Sequence, residues 1–377
     1  MRVALDARTV YDAPRRGTGK TLVDLYRQLA VSRPAWRFDL FHQLPLTVGD
    51  PLEGLPNLVR HRIDLPGHRW DSWLQAGLPL IARLTRSQVL HAPANIAPRL
   101  PLMPCVVTIH DLIPLQMEPD SQATARWLAR VRRGARAARR ILTDSEYSRT
   151  LLLKELALPP EKVIVNHWAP DSRSVRVTDE ATLRSVRAQY GIGHRPFLIG
   201  FGASAARKNT PRILEAWSLL PAELRSGSRL LLIGIQREAL PGFQRIAECL
   251  GIDDTCVLRG YAPDEDVPAL LSASRGLCYP SLCEGFGVPV LDAFACGAPV
   301  LTSNGTSLVE VAGDAAILVD PASAVAISEG MRQLLTDDGV REHLIDRGSK
   351  RLDSFKWEDC AERVAAVLEQ AVSSQLG

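Results

Sequence analysis

Ser281-Leu-Cys-Glu284-Gly-Phe-Gly-Val-Pro-Val-Leu-Asp292-Ala-Phe-Ala-Cys-Gly-Ala-Pro-Val300 decides how this chain is read. The apolar run Gly276–Tyr279 before it predicts a strand ending near Pro280. A glycine-bracketed loop then carries Glu284, and Gly287 opens a helix with Pro289 in its first turn. That helix stops at Gly297, with Pro299 just beyond. Such a strand, loop and helix bring backbone amides and one carboxylate onto a ligand, and the helix N-terminus favours anionic oxygens there. Asp292 lies about one turn into the helix, where a carboxylate can accept hydrogen bonds from a diol such as a ribose.

The same alternation extends outward in both directions. Upstream, strands are predicted at Phe197–Gly200, Arg229–Ile233 and Val257–Arg259, and downstream at Pro299–Thr302, with amphipathic segments between them. An earlier series reads Arg2–Asp6, Arg37–Phe41, Val89–Ala92, Val106–Ile109, Arg140–Thr143 and Lys162–Val165. Leu22, Leu25, Tyr26 and Leu29 mark a helix by their i, i+3, i+4, i+7 spacing. Ala169–Glu180 is polar and unpatterned, which makes it the connection. The expectation is α/β: two doubly wound parallel-sheet domains, residues 1–180 and 181–356, facing each other across a deep cleft. A last helix, 357–377, is expected to pack back toward the first domain.

A chain of 377 residues, 46% hydrophobic and 23% charged, is ordinary globular material with room for two cores. MRVALDARTV has charges where a signal peptide needs an apolar stretch, and no apolar run nears the ~18–20 residues that cross a bilayer. The seven cysteines contain no C-x-x-C and the eight histidines no H-x-x-x-H, so no disulfide framework and no metal site are expected. A cytoplasmic location follows from these readings. Charge is unevenly spread. Residues 1–190 hold 28 Lys+Arg against 18 Asp+Glu (28 − 18 = +10), and the remainder 17 against 24 (17 − 24 = −7). The first half is therefore expected to face something anionic.

Three motifs invite other functions, and the first two fall short. Gly19-Lys20-Thr21 resembles the end of a P-loop, but the glycine required five residues earlier is Pro14. Gly200-Phe-Gly202-Ala-Ser-Ala205 matches G-x-G-x-x-A, yet the next strand ends at Ile233-Gly-Ile235 without the acid a dinucleotide ribose needs. Arg126, Arg130, Arg132, Arg133, Arg136, Arg139 and Arg140 crowd one helix with no acid between Ser121 and Thr143. A solvated face and an anionic membrane surface both fit that helix. Nucleic acid is less favoured, because Trp127 belongs to the core stripe of the helix and no other aromatic is interleaved with these arginines.

With these residues in view, the chain resembles the GT4 retaining glycosyltransferases of GT-B fold. Their E-x7-E hallmark is matched by Glu284 with Asp292 at the second position. VTIHDLIPL (107–115), TDSEYSR (143–149), GASAARKN (202–209) and SNGTSLVEVAGDAAILVDP (303–321) carry the resemblance along nearly the whole chain. It is closest to bacterial mannosyltransferase B-like enzymes of surface-polysaccharide assembly. The resemblance implies an N-terminal acceptor-side domain and a C-terminal nucleotide-sugar domain. It implies donor contacts from Gly202, Gly285, Phe286, Gly287 and Val288, with Glu284 on the donor hexose and Asp292, one methylene short, at the ribose. Arg207 and Lys208 would embrace the diphosphate beside Gly17, Thr18 and Gly19, and His110 would lie near the reacting sugar. For His110, a core histidine at a strand end is the competing reading.

The implied reaction transfers a hexose, mannose from GDP-mannose, to a saccharide or polyprenyl-diphosphate-linked acceptor with retention. It uses no cofactor and no metal, so fixed cations must stabilise the leaving diphosphate. A glycoside hydrolase would need paired carboxylates and would leave Arg207 and Lys208 unexplained. A UDP-sugar transferase, a nucleotide-sugar epimerase and a non-catalytic donor-binding scaffold remain as alternatives.

Overall fold

The computed structural model describes residues 1–12, 17–43, 49–65 and 72–373. Among them, thirteen strands form two all-parallel sheets. The first contains β1 (Arg2–Asp6), β2 (Arg37–His42), β3 (Leu58–Arg62), β4 (Val89–Ala92), β5 (Cys105–Thr108), β6 (Arg140–Thr143) and β7 (Val163–Val165), in the order β3-β2-β1-β4-β5-β6-β7. The second contains β8 (Phe197–Phe201), β9 (Arg229–Ile233), β10 (Cys256–Leu258), β11 (Gly276–Tyr279), β12 (Val300–Ser303) and β13 (Ala316–Val319), in the order β10-β9-β8-β11-β12-β13. Parallel strands covered on both faces read as continuous apolar runs, as Leu230–Ile233 and Val106–Val107 do. Edge strands escape that rule. β3, LVRHR, alternates buried and exposed positions at the end of its sheet, and β13 is mostly half-exposed at the end of the other. Neither was expected as a strand.

The chain forms two compact units: Met1–Trp168 with Phe355–Gly377, and Ala169–Ser354. The break lies before the position 180 expected from pattern, and hydrogen bonding explains it. Asp292 Oδ1 accepts from the Asp171 amide at 2.8 Å and from Ser174 Oγ at 3.0 Å, while the Val177 amide donates to Ser272 Oγ at 3.0 Å. The unpatterned stretch is thus part of the second unit.

In the first unit the helix Trp357–Ser373 lies against the helix Gly17–Ser32, with Val364, Leu368 and Ala371 fully buried. Asn166 Nδ2 donates to Cys360 Sγ at 3.1 Å, and an Arg139 Nη1 donates to the Ala371 carbonyl at 3.0 Å. The helices Leu78–Leu84, Gln122–Ala137 and Glu146–Leu156 pack into one cluster around Trp73, Val107 and Ile141. In the second unit, Trp217 is fully buried and its indole N–H donates to Thr255 Oγ1 at 3.1 Å.

Strand order reverses between β8 and β11 in the second sheet. They pair directly, Gly276 opposite Leu198 and Leu277 opposite Ile199. The loops that follow both strands therefore open side by side at the carboxyl edge, the place where open α/β sheets bind ligands. Those loops are 202–209 and 280–287.

Candidate functional site

The loop after β8 leaves the sheet beside the end of β9, where the Gly202 amide donates to the Ile233 carbonyl at 2.8 Å. A Cβ at Gly202 would meet Ile235 Cγ1 at 2.7 Å, so the close approach of the two strand ends accounts for this glycine. The short turn Ala206–Lys208 ends on Asn209 in the left-handed region (φ 60°), a conformation asparagine tolerates. Asn209 Nδ2 donates to the carbonyls of Pro280 (3.0 Å) and Pro321 (2.7 Å), and the Leu282 amide donates to the Arg207 carbonyl at 2.7 Å. These bonds clamp the Arg207–Lys208 turn onto the Glu284 loop.

The Glu284 loop is fixed from its other side. Gly287 adopts φ +121°, and a Cβ there would strike Leu308 Cδ2 at 2.7 Å. Ser307 Oγ lies 2.8 Å from the Glu284 carbonyl and 2.9 Å from that of Phe286. Thr306, just before it, holds a backbone conformation (φ 61°, ψ −156°) that side-chain-bearing residues rarely adopt. Strain of this kind persists only where surrounding bonds over-determine it, as they do around this loop. Gly285, Phe286, Gly287 and Val288 follow Glu284 into the helix Val288–Ala295, and Phe286 is buried.

Glu284 is the centre of the group. Oε2 accepts from Arg207 Nη1 at 2.5 Å, and Oε1 accepts from Lys208 Nζ at 2.7 Å. Oε1 also accepts from the Tyr279 hydroxyl at 2.7 Å, and Lys208 Nζ donates to that same hydroxyl. Burial alone would raise the pKa of the Glu284 carboxyl. The charges of Lys208 and Arg207 outweigh it and hold the group below the ordinary glutamate value. Burial lowers that of Lys208, an effect that the Glu284 charge offsets only in part and that Arg207 reinforces. Burial and the neighbouring carboxylate push the Tyr279 phenol well above its usual value. The result is an ionised carboxylate with two cations on it, at the sheet's switch point.

Asp292 meets a different neighbour. The ribose contact expected of it competes with the bonds its Oδ1 makes to the Asp171 amide and Ser174 Oγ. The acidic run Asp264-Glu265-Asp266 is also engaged. Asp264 accepts from Arg173 Nη1 at 3.0 Å and from the Tyr261 hydroxyl at 2.5 Å, and Asp266 accepts from Tyr190 at 2.8 Å and Gln189 at 2.9 Å. Among the described residues, no group of three or more His, Cys, Asp or Glu side chains is placed to hold a metal ion.

Gly17, Thr18, Gly19 and His110 belong to the first unit. Rather than a turn ahead of a helix, Gly17–Gly19 form the first turn of the helix Gly17–Ser32, where Thr21 Oγ1 donates to the Gly17 carbonyl at 2.9 Å. The residues just before Gly17 lie outside those described. His110 follows β5 and is buried. Its Nδ1 faces Asp144 Oδ2 at 2.8 Å and its Nε2 the Pro93 carbonyl at 2.7 Å. Both partners are acceptors, so the ring donates from both nitrogens and is an imidazolium. Burial opposes that charge, but Asp144 outweighs it and raises His110 to about 9. A ring committed in this way has no free nitrogen to accept a proton.

Sequence reasoning missed Tyr279 and Asp144. Tyr279 ends the apolar run of β11, and its only signal is that a buried phenol requires a hydrogen-bond partner. Asp144 lies 34 residues from His110 (144 − 110 = 34), just after β6, the next strand of the sheet.

Comparison with known proteins adds family context. Residues 184–351 match the family model described as glycosyl transferases group 1. The chain is 30% identical over 362 residues to O-antigen chain mannosyltransferase B of Escherichia coli, covering 92% of this chain and 94% of that protein. Its fold is that of sucrose-phosphate synthase from Thermosynechococcus elongatus (TM-score 0.79, 17% identity, 99% of this chain and 100% of that one). Anabaena HepE, solved with UDP-glucose, is similar as well (TM-score 0.76, 16% identity, 98% and 100%).

Proposed function

The chain belongs to the group 1 glycosyl transferases, and from that premise we propose a retaining hexosyltransferase that moves mannose from GDP-mannose to a saccharide or polyprenyl-diphosphate-linked acceptor in bacterial envelope polysaccharide assembly. The observation that carries this reading is the Arg207–Lys208–Glu284 group at the β8/β11 switch point. Cleavage of the anomeric C–O bond sends its electron pair to the departing nucleoside diphosphate, while an acceptor hydroxyl oxygen bonds to the same carbon from the same face and gives its proton to the departing diphosphate oxygen. Arg207 and Lys208 stabilise the developing negative charge. Each unit-charge pair at 4 Å is worth about 4 kcal/mol at the effective dielectric constant of ~20 that suits a wet site. Glu284 then orients hydroxyls of the donor hexose. Mannose and a polysaccharide acceptor are favoured because the Escherichia coli relative is named as an O-antigen chain mannosyltransferase.

A panel of nucleotide sugars screened for binding, followed by product analysis with a lipid-linked mannoside, tests the reading. GDP release with an α-mannoside product is expected. Binding of donor with no sugar released would identify a scaffold, and preference for UDP-sugars a different transferase.

Because protein cations carry the leaving-group charge, the proposed mechanism is metal-independent. Transfer should survive excess EDTA nearly intact. Activity lost on chelation and restored by Mg2+ or Mn2+ would overturn that part.

A cytoplasmic enzyme working at the inner membrane surface is also proposed. No described helix is long and apolar enough to cross a membrane. Arg126, Arg133 and Arg136 are exposed on the helix Gln122–Ala137, and Leu80, Leu84, Leu100 and Leu102 are exposed in the same unit. Arg132 instead donates to the Glu155 carbonyl at 2.9 Å. Reversing the charge of Arg126, Arg133 and Arg136 should weaken sedimentation with acidic liposomes by about 1 kcal/mol per lost contact, leaving activity on a soluble acceptor unchanged. Equal sedimentation of wild type and variant would make this helix a solvated face.

A further inference from the structure

We propose that Tyr279 is a positioning residue that holds the Glu284 carboxylate in place once a donor diphosphate has drawn Arg207 and Lys208 away from it. This inference rests on the donor-site reading above. Among the described residues Glu284 has three side-chain donors: Arg207 on Oε2, and Lys208 and Tyr279 on Oε1. The two cations sit on long, rotatable stems and keep part of their surface in solvent, 29% for Arg207 and 16% for Lys208. They can turn to an incoming diphosphate. Glu284 would then lose two of its three partners at the moment its orientation matters.

Tyr279 cannot turn away. It is the last residue of β11, paired with Thr302 of β12, and Thr302 Oγ1 donates to its carbonyl at 2.9 Å. The residue is 2% exposed and its ring meets Phe201 edge-on, with centroids 6.3 Å apart and planes at 87°. The phenol has a single proton and gives it to Glu284, while a lone pair receives Lys208. When the lysine leaves, the donated bond remains. The charged and titratable groups facing the carboxylate are Arg207 and Lys208 from the turn after β8 and Tyr279 from β11. The helix Ser307–Ala312 presents the uncharged Ser307 to the loop carbonyls.

This division of labour has a specific kinetic signature. In Tyr279→Phe, the free enzyme still has both cations on Glu284, so the acid limb of kcat/KM should stay in place. In the donor complex the carboxylate lacks its remaining donor and protonates more easily, so the acid limb of kcat should move up by about one pH unit. At neutral pH kcat should fall roughly 10-fold, with the thermal midpoint nearly unchanged.

The experiment measures GDP release from GDP-mannose with a synthetic lipid-linked mannoside, across pH, for wild type, Tyr279→Phe, Glu284→Gln and the double variant. In the Glu284→Gln background the tyrosine substitution should have little further effect, because the group it positions is already gone. Equal losses in both backgrounds, parallel falls in kcat and kcat/KM with unmoved limbs, or an unaffected Tyr279→Phe each overturn the role of Tyr279. No turnover by the wild type with any nucleotide sugar overturns the functional reading itself, and this inference with it.

Discussion

Lys208→Ala is expected to lower kcat ~10²–10³-fold, equivalent to about 2.7–4 kcal/mol, while changing donor affinity far less. The cation is needed most where charge grows, on the diphosphate oxygen of the breaking bond, and only interactions stronger in the transition state accelerate chemistry. The clamp described above explains why a neighbouring arginine should not substitute: Asn209 and the Leu282 amide fix the turn, so the two cations occupy different sides of Glu284. Steady-state kinetics with direct donor titration checks this. A rise in KM with kcat intact would make Lys208 a binding residue only. Asp292→Ala makes the contrasting case. It removes the acceptor of the Asp171 amide and Ser174 Oγ, a loss that belongs to stability and donor KM rather than to kcat.

Asp144→Asn should destabilise the protein by about 3 kcal/mol at pH 6, and by much less at pH 9.5. The folded His110 titrates at about 9, above its ordinary 6.5, because Asp144 outweighs the opposing effect of burial. A raised folded value means the pair's contribution is fully present below 6.5 and is lost as pH rises through about 9. Asp144 Oδ1 has no hydrogen-bond partner among the described residues, so His110 is the principal beneficiary of its charge. Denaturant unfolding of wild type and variant at the two pH values measures the difference. A pH-independent gap would mean that His110 is neutral in the folded protein.

The features legible in sequence were those encoded locally. The strand–glycine–helix signature around Glu284 and the basic pair Arg207–Lys208 each announce themselves within a dozen residues, and the doubly wound pattern follows from apolar runs that both faces of a sheet require. The edge strands β3 and β13 have only half of that requirement and carry a correspondingly weaker signal. Asp144 was invisible because its partner lies after a different strand, and neighbouring strand ends in a parallel sheet are far apart in sequence. Tyr279 was concealed by its setting, a polar tip in an apolar run. Asp292 was read from its spacing to Glu284, but spacing carries no information about the segment 171–174 that folds onto it.

The first unit is written in two pieces, with the whole second unit between them. A ribosome therefore releases β1–β7 long before it releases the helix Trp357–Ser373 that packs on β4, β5 and β6. The second unit, continuous in sequence, can close its own core as it emerges, whereas the half made first is completed last. In that interval an apolar sheet face waits uncovered, the kind of surface on which nascent chains aggregate and to which chaperones bind.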